Sequence, residues 1–248
     1  KLKPDLIAFS VMTPTFQWAN EISARLKKVI PDVPIIFGGV HPTLLPEKCL
    51  KNSNADVICV GEGDEAIVEL ADSIAENKKK YDIPNLWFKV NGGIFENTQR
   101  PIIPDLDILS NYDKEGFDSY REPKNNLLIV FSRGCPFNCS FCSLYKYAED
   151  ADNQNVERVR LRSPQLAIRE LKELKQKYNP KWIEFKDNTF TANKKWLREF
   201  LPALKKEINL PFKCFVHPGT LNEEIVRLLK DSGCWGVQIG IESLSESV

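Results

Sequence analysis

The chain has 248 residues, 42% of them hydrophobic and 27% charged, which excludes a disordered composition and allows two domains that each bury a core. Thirty-four basic residues balance 34 acidic ones, and the balance is local: 12 against 13 in residues 1–100 and 22 against 21 in the remainder. Neither part carries the basic surplus that nucleic-acid binding leaves behind. No apolar run approaches the roughly 18 residues of a membrane span, and no signal-peptide layout opens the chain, so a cytoplasmic protein is expected.

In chain order, short apolar runs alternate with amphipathic segments, the pattern of a parallel sheet with crossover helices. Residues 5–11 read as a buried strand, 16–30 as a helix with Ile22, Leu26 and Val29 at helical spacing, 34–37 as a second strand and 56–60 as a third. A helix over 65–75 follows, with Ala66, Ile67, Leu70, Ala71 and Ile74 on one face. Asn91-Gly92-Gly93 supplies the turn for a hairpin over 86–95. Residues 97–125 lack periodicity and are rich in proline, Asp and Asn, so they read as an ordered linker between a domain of residues 1–96 and another of 126–248.

From Leu127 the β/α rhythm returns. Strands are expected at 127–132, 182–186, 212–216 and 235–241, and helices at 164–178, 194–208 and 223–231. Ser163 before Pro164 fits an N-cap with proline at the first helical position, Gly233 fits a helix end, and Pro202 should kink or stop its helix. Four βα strands in a row suggest a partial (β/α) barrel, whose chemistry belongs at the C-terminal ends of its strands.

The chemistry-bearing segment is F-S-R-G-C-P-F-N-C-S-F-C-S at 131–143, which sets Cys135, Cys139 and Cys142 at C-x3-C-x2-C spacing just after the first of these strands. Three thiolates within eight residues can fold around one iron–sulfur cluster. With no fourth cysteine or histidine nearby, a cubane would keep one iron open to a non-protein ligand. Structural zinc needs four ligands, and would have to recruit Cys214 or His217 from a distance. The other four cysteines, Cys49, Cys59, Cys214 and Cys234, read as small buried hydrophobes.

This motif resembles that of the radical S-adenosylmethionine superfamily. The resemblance implies a 4Fe-4S cluster on Cys135, Cys139 and Cys142, with S-adenosylmethionine chelating the open iron and Phe141 near the adenine. Reductive cleavage of the sulfonium then yields methionine and a 5'-deoxyadenosyl radical. Two further segments carry the resemblance: I-E-F-K-D-N-T-F at 183–190, with Asp187 directed toward the barrel mouth, and G-V-Q-I-G-I-E-S at 236–243, where Glu242 and Ser243 would contact S-adenosylmethionine. A polar turn capping the next helix is an equally open reading of Asp187.

Three loops of the front domain, 10–15, 37–43 and 60–64, each follow a predicted strand and would line the carboxyl edge of its sheet. Glycine pairs allow close approach of a bulky ligand, and small hydroxyls supply hydrogen bonds. As a set they resemble the cobalamin-binding domain that precedes the radical domain in one class of these enzymes. This implies contacts from Ser10, Thr13, Gly38, Gly39 and His41; a helix-capping turn at His41-Pro42 is the alternative. No D-x-H-x-x-G motif appears, so a histidine ligand to cobalt is not expected.

The fold expected is thus α/β, a partial Rossmann-like cobalamin-binding domain followed by a partial radical-type barrel, with strands missing at both ends. The function expected is cobalamin-dependent radical chemistry on a small molecule, with methyl transfer to an unactivated centre as the leading reaction and electrons from a flavodoxin or ferredoxin. A radical enzyme without cobalamin, performing rearrangement, cyclisation or RNA modification, and a non-catalytic metal-binding interaction protein are the alternatives.

Overall fold

The computed structural model describes residues 3–111, 126–243 and 245. The chain divides into two compact units, Lys1–Ile103 and Pro104–Val248. Residues 112–125, the second part of the expected linker, lie outside the described residues.

The first unit runs β1 (Ile7–Ser10), α1 (Phe16–Val29), β2 (Ile35–Gly38), α2 (Val40–Leu44), α3 (Pro46–Lys51), β3 (Val57–Cys59), α4 (Asp64–Ala75), β4 (Leu86–Val90) and β5 (Gly93–Phe95). Its five-stranded sheet has the order β1-β2-β3-β4-β5, with β1, β2 and β3 parallel and the β4–β5 hairpin antiparallel. Parallel strands covered on both faces must be apolar at every position, and β2 (IIFG) and β3 (VIC) are. Alternation sorts them: Ile35, Phe37 and Ile58 pack in one core with Ala19, Cys49 and Leu50, while Ile36, Val57 and Cys59 pack in the other with Ala66 and Leu70.

The sequence offers a turn toward a helix after the second strand, but not the bounds of the two short helices α2 and α3. Each spans only five or six residues, too few to show a helical period. The last residues of this unit are docked on it: the Arg100 guanidinium pairs with Glu65 and Glu69, and the Ile103 amide donates to Glu62 at 2.9 Å.

The second unit runs β6 (Asn126–Ile129), β7 (Ser132–Arg133), α5 (Leu144–Asn153), β8 (Arg160–Leu161), α6 (Pro164–Tyr178), β9 (Trp182–Phe185), α7 (Lys194–Ala203), β10 (Phe212–Val216), α8 (Glu223–Asp231) and β11 (Cys234–Ile239). β6, β9, β10 and β11 form a parallel sheet in the order β11-β10-β9-β6. One face carries the helices and the core. Leu127, Ile129, Ile183, Phe185, Phe212, Cys214 and Val216 point into it and meet Leu171, Leu197, Phe200 and Leu229. The opposite face takes the alternate residues, Leu128, Trp182, Glu184, Lys213 and Phe215.

Side-chain caps start the helices as their residue types require: Ser163 accepts from the Leu166 amide, Asn193 from Trp196 and Asn222 from Ile225. Pro202 has the expected consequence. It lacks the amide that would continue the ladder, and α7 ends at Ala203 in a π-helical turn, Leu204–Ile208.

The expected strand at 127–132 is two pieces. The ladder between β6 and β9 ends at Ile129, and beyond it β7 turns away to pair with β8. No helix among the described residues is long and apolar enough to cross a membrane.

Candidate cofactor site

The cysteine loop leaves the sheet at the C-terminal end of β6. Gly134 makes the exit possible. It sits at φ +92°, and a Cβ there would stand 1.8 Å from the Arg158 carbonyl oxygen, so only glycine lets the chain leaving β7 pass this close to the segment ahead of β8. Arg158 fastens the loop's far side, donating to Asn138 Oδ1 at 2.8 Å while its guanidinium also pairs with Asp152 at the end of α5. A turn closes between Cys139 and Cys142, whose carbonyl and amide meet at 3.0 Å.

Three loops converge at this edge. Cys135 Sγ lies 3.6 Å from Thr189 Oγ1 in the loop after β9, and the Phe137 ring stacks at 3.6 Å on His217 in the loop after β10. All three cysteines are free thiols of intermediate exposure. Among the described residues no three His, Cys, Asp or Glu side chains converge as a single metal ion would require. A cubane presents its irons at separate corners and takes one thiolate at each, so three cysteines in one loop suit a cluster with one iron left open. Of the two distant ligands a zinc site would recruit, Cys214 is buried in the core beside Cys234, whereas His217 stacks on Phe137 of the cysteine loop. The Cys234 hydrogen bond and burial both push the Cys214 thiol up. Cys49 and Cys59 are buried as expected, and burial raises each to about 11.

Phe141 is 68% exposed, next to Cys142. Glu242 and Ser243 follow β11 at the same sheet edge; Glu242 adopts φ +62° and folds its carboxylate back over Gly240. Asp187 corrects the expectation that it is directed toward the mouth. It is 1% exposed, and its Oδ1 accepts from the Phe131 amide at 2.9 Å and the Ser132 hydroxyl at 2.6 Å. The carboxylate therefore replaces the ladder where β6 stops and fixes the residues that launch the cysteine loop. Burial holds its pKa above the ordinary carboxylate value despite these hydrogen bonds.

In the first unit, an open cleft of about 500 Å³ lies at the C-terminal ends of β1, β2 and β3, lined by Ser10, Gly38, Gly39, Gly61 and Gly63 among others. Gly39, at φ +96°, lies so close to β1 that a Cβ would meet the Val11 backbone at 3.1 Å and Ser10 Oγ at 3.3 Å. This glycine-walled cradle fits the flat or bulky group that the sequence implies.

Thr13 and His41 stand apart from the cleft lining. His41 is 7% exposed in α2, packs its ring on Phe16 at 4.3 Å and bonds Thr13 Oγ1 through Nδ1 at 3.1 Å; burial lowers its pKa. It braces the loop after β1, joining α2 to that loop through its ring and Nδ1.

Both halves match family models: the B12 binding domain over residues 1–71 and the radical SAM superfamily over residues 129–248. The chain belongs to the radical S-adenosylmethionine superfamily, in the class whose radical domain follows a B12-binding domain. An uncharacterized methyltransferase of Pyrococcus horikoshii is 31% identical over the full chain, which covers 54% of that relative. The anaerobic magnesium-protoporphyrin IX monomethyl ester cyclase of Cereibacter sphaeroides is 26% identical over 99% of this chain and 41% of its own length. The fold is shared with the radical S-adenosylmethionine methyltransferase TsrM of Kitasatospora setae, solved with tryptophan and a SAM analogue. The TM-score is 0.76 at 20% identity, over the whole of this chain and 50% of TsrM. The chain thus spans about half the length of the relatives it matches.

Proposed function

We infer that this chain carries the cofactor-binding machinery of a cobalamin-dependent radical enzyme that transfers a methyl group to an unactivated centre of a small molecule. The observation that carries this reading is the meeting of the C-x3-C-x2-C loop with the loops after β9 and β10 at the C-terminal edge of a parallel sheet, in a chain whose front unit matches a B12-binding domain. Cys135, Cys139 and Cys142 would hold a 4Fe-4S cluster and leave one iron to S-adenosylmethionine. When bound, these groups supply one electron for sulfonium cleavage and a corrinoid carrier for the methyl group.

The chain's own residues hold and orient. Phe141 presents a ring face suited to the adenine, and the Glu242 carboxylate and Ser243 hydroxyl can accept from the ribose hydroxyls or the ammonium. Ser10, Gly38 and Gly39 accommodate the cobalamin tail. Asp187 and the His41–Thr13 pair position the two loops from behind. A flavodoxin or ferredoxin would deliver the electron.

The test is anaerobic reconstitution with iron and sulfide, reduction, and measurement of 5'-deoxyadenosine; no cleavage with the cluster present would overturn the reading. Hydroxocobalamin retained through gel filtration supports the corrinoid, and its loss leaves a radical enzyme without cobalamin. Zinc at about one per chain without iron would favour a metal-binding interaction protein. Similarity to the cyclase favours a second reading, ring closure with the same cofactors. A deuterated methyl group on the sulfonium separates the two, since only methyl transfer carries the label into product.

A further inference from the structure

The face of the second sheet opposite its core helices carries a charge cluster that the cofactors do not explain. Glu184, on β9, is 7% exposed at its side chain, and its Oε1 receives Lys186 Nζ at 2.5 Å and Lys213 Nζ at 2.9 Å. Burial works to raise the Glu184 pKa, but the two lysine hydrogen bonds outweigh it and hold the carboxylate below its ordinary value, so it stays ionised. Among the described residues two ammonium groups then face one carboxylate oxygen, which leaves a surplus positive charge and N–H donors to spare on a largely apolar surface.

The lysines are also held in place. Lys186 Nζ lies 4.7 Å from the centre of the Phe215 ring and Lys213 Nζ 5.4 Å from that of Trp182, and Trp182 meets Trp235 edge to face at 5.6 Å. Trp235 is 61% exposed, and on the neighbouring strand Gly236 stands opposite Lys213 with no side chain to fill the space. Lys186 lies three residues before Thr189, whose hydroxyl touches Cys135.

We propose that Lys186 and Lys213, oriented by Glu184 and walled by Phe215, Trp182 and Trp235, form the subsite that grips the carboxylate of a flat aromatic substrate. The proposal rests on the functional reading above for the word substrate, but its test requires neither iron nor any cleavage of S-adenosylmethionine.

The probe is benzoate, titrated into the metal-free protein and followed by tryptophan emission, with benzyl alcohol as the uncharged control. Benzoate should give a saturable change and benzyl alcohol none. Lys186→Gln and Lys213→Gln should each weaken benzoate by about tenfold or more, the effect of losing a charge-assisted hydrogen bond. Glu184→Gln removes the internal competitor and should tighten it, a gain that a merely structural cluster would not produce. Melting curves identify variants that fail to fold; Lys186→Arg, which keeps the charge, should then retain binding and serve in place of an unfolded glutamine variant.

Equal affinity in wild type and both glutamine variants, or no saturable response in wild type, would overturn the proposal. So would displacement of benzoate by S-adenosylmethionine, which would assign the lysines to the cofactor. None of these results bears on sulfonium cleavage, so the two readings fail separately.

Discussion

Gly134→Ala isolates the packing that launches the cysteine loop. Two costs follow from its position. At φ +92° an L-residue is strained by about 1–2 kcal/mol. The new Cβ would also stand 1.8 Å from the Arg158 carbonyl oxygen, so the backbone ahead of β8 must retreat, at the roughly 1–3 kcal/mol typical of overpacking. The β7–β8 ladder has only two residue pairs to absorb that movement. Gly92→Ala is the internal control: its φ of +80° carries a similar strain, but nothing lies within 4 Å of its Cβ.

Urea unfolding should therefore place Gly134→Ala below Gly92→Ala by about 1–3 kcal/mol. Iron bound per chain after anaerobic reconstitution should fall in the former and not in the latter. Equal stability of the two variants, with full iron in Gly134→Ala, would refute the argument that close strand approach sets the loop.

Three further outcomes are expected. Asp187 has a raised pKa when folded, so the folded state binds the extra proton and this group's contribution to stability declines as pH rises from the ordinary Asp value through the raised one. Asp187→Asn should flatten that part of the pH profile of the urea midpoint, and an unchanged slope would count against it. Arg162 is buried with Glu170 at 2.8 Å and also bonds Asn111 and the Ser110 carbonyl, so Arg162→Met should cost about 3–5 kcal/mol in urea unfolding by stranding a buried carboxylate. Adding Glu170→Leu should recover most of that loss. Phe185→Ala removes a fully buried ring that packs on Phe190, Phe200 and Phe212 and should cost about 3–5 kcal/mol by the same assay, whereas exposed Val226→Ala should leave the midpoint nearly unchanged.

Local pattern decided much of this protein. The alternation in β2 and β3, the caps at Ser163, Asn193 and Asn222, the Asn91-Gly92 turn and the break after Pro202 are each fixed by residues within a few positions of one another. The C-x3-C-x2-C spacing is just as local, which is why the cluster loop and the class of protein were legible in the sequence. The helix α5 and the β7–β8 ladder were not, because the apolar spacing at 144, 147, 148 and 151 lasts only ten residues behind the cysteine loop and the ladder is two residues long. The roles of Asp187 and His41 could not be read either. A carboxylate after a strand looks like a ligand contact until the fold shows Asp187 receiving the Phe131 amide from 56 residues away, and only the fold shows His41 packed on Phe16. The lysine–glutamate cluster is also a product of strand register, since Glu184 and Lys213 become neighbours only when β9 and β10 pair. Sequence fixes what a residue can do within its own turn or strand; burial and cross-strand neighbours decide which of those things it does.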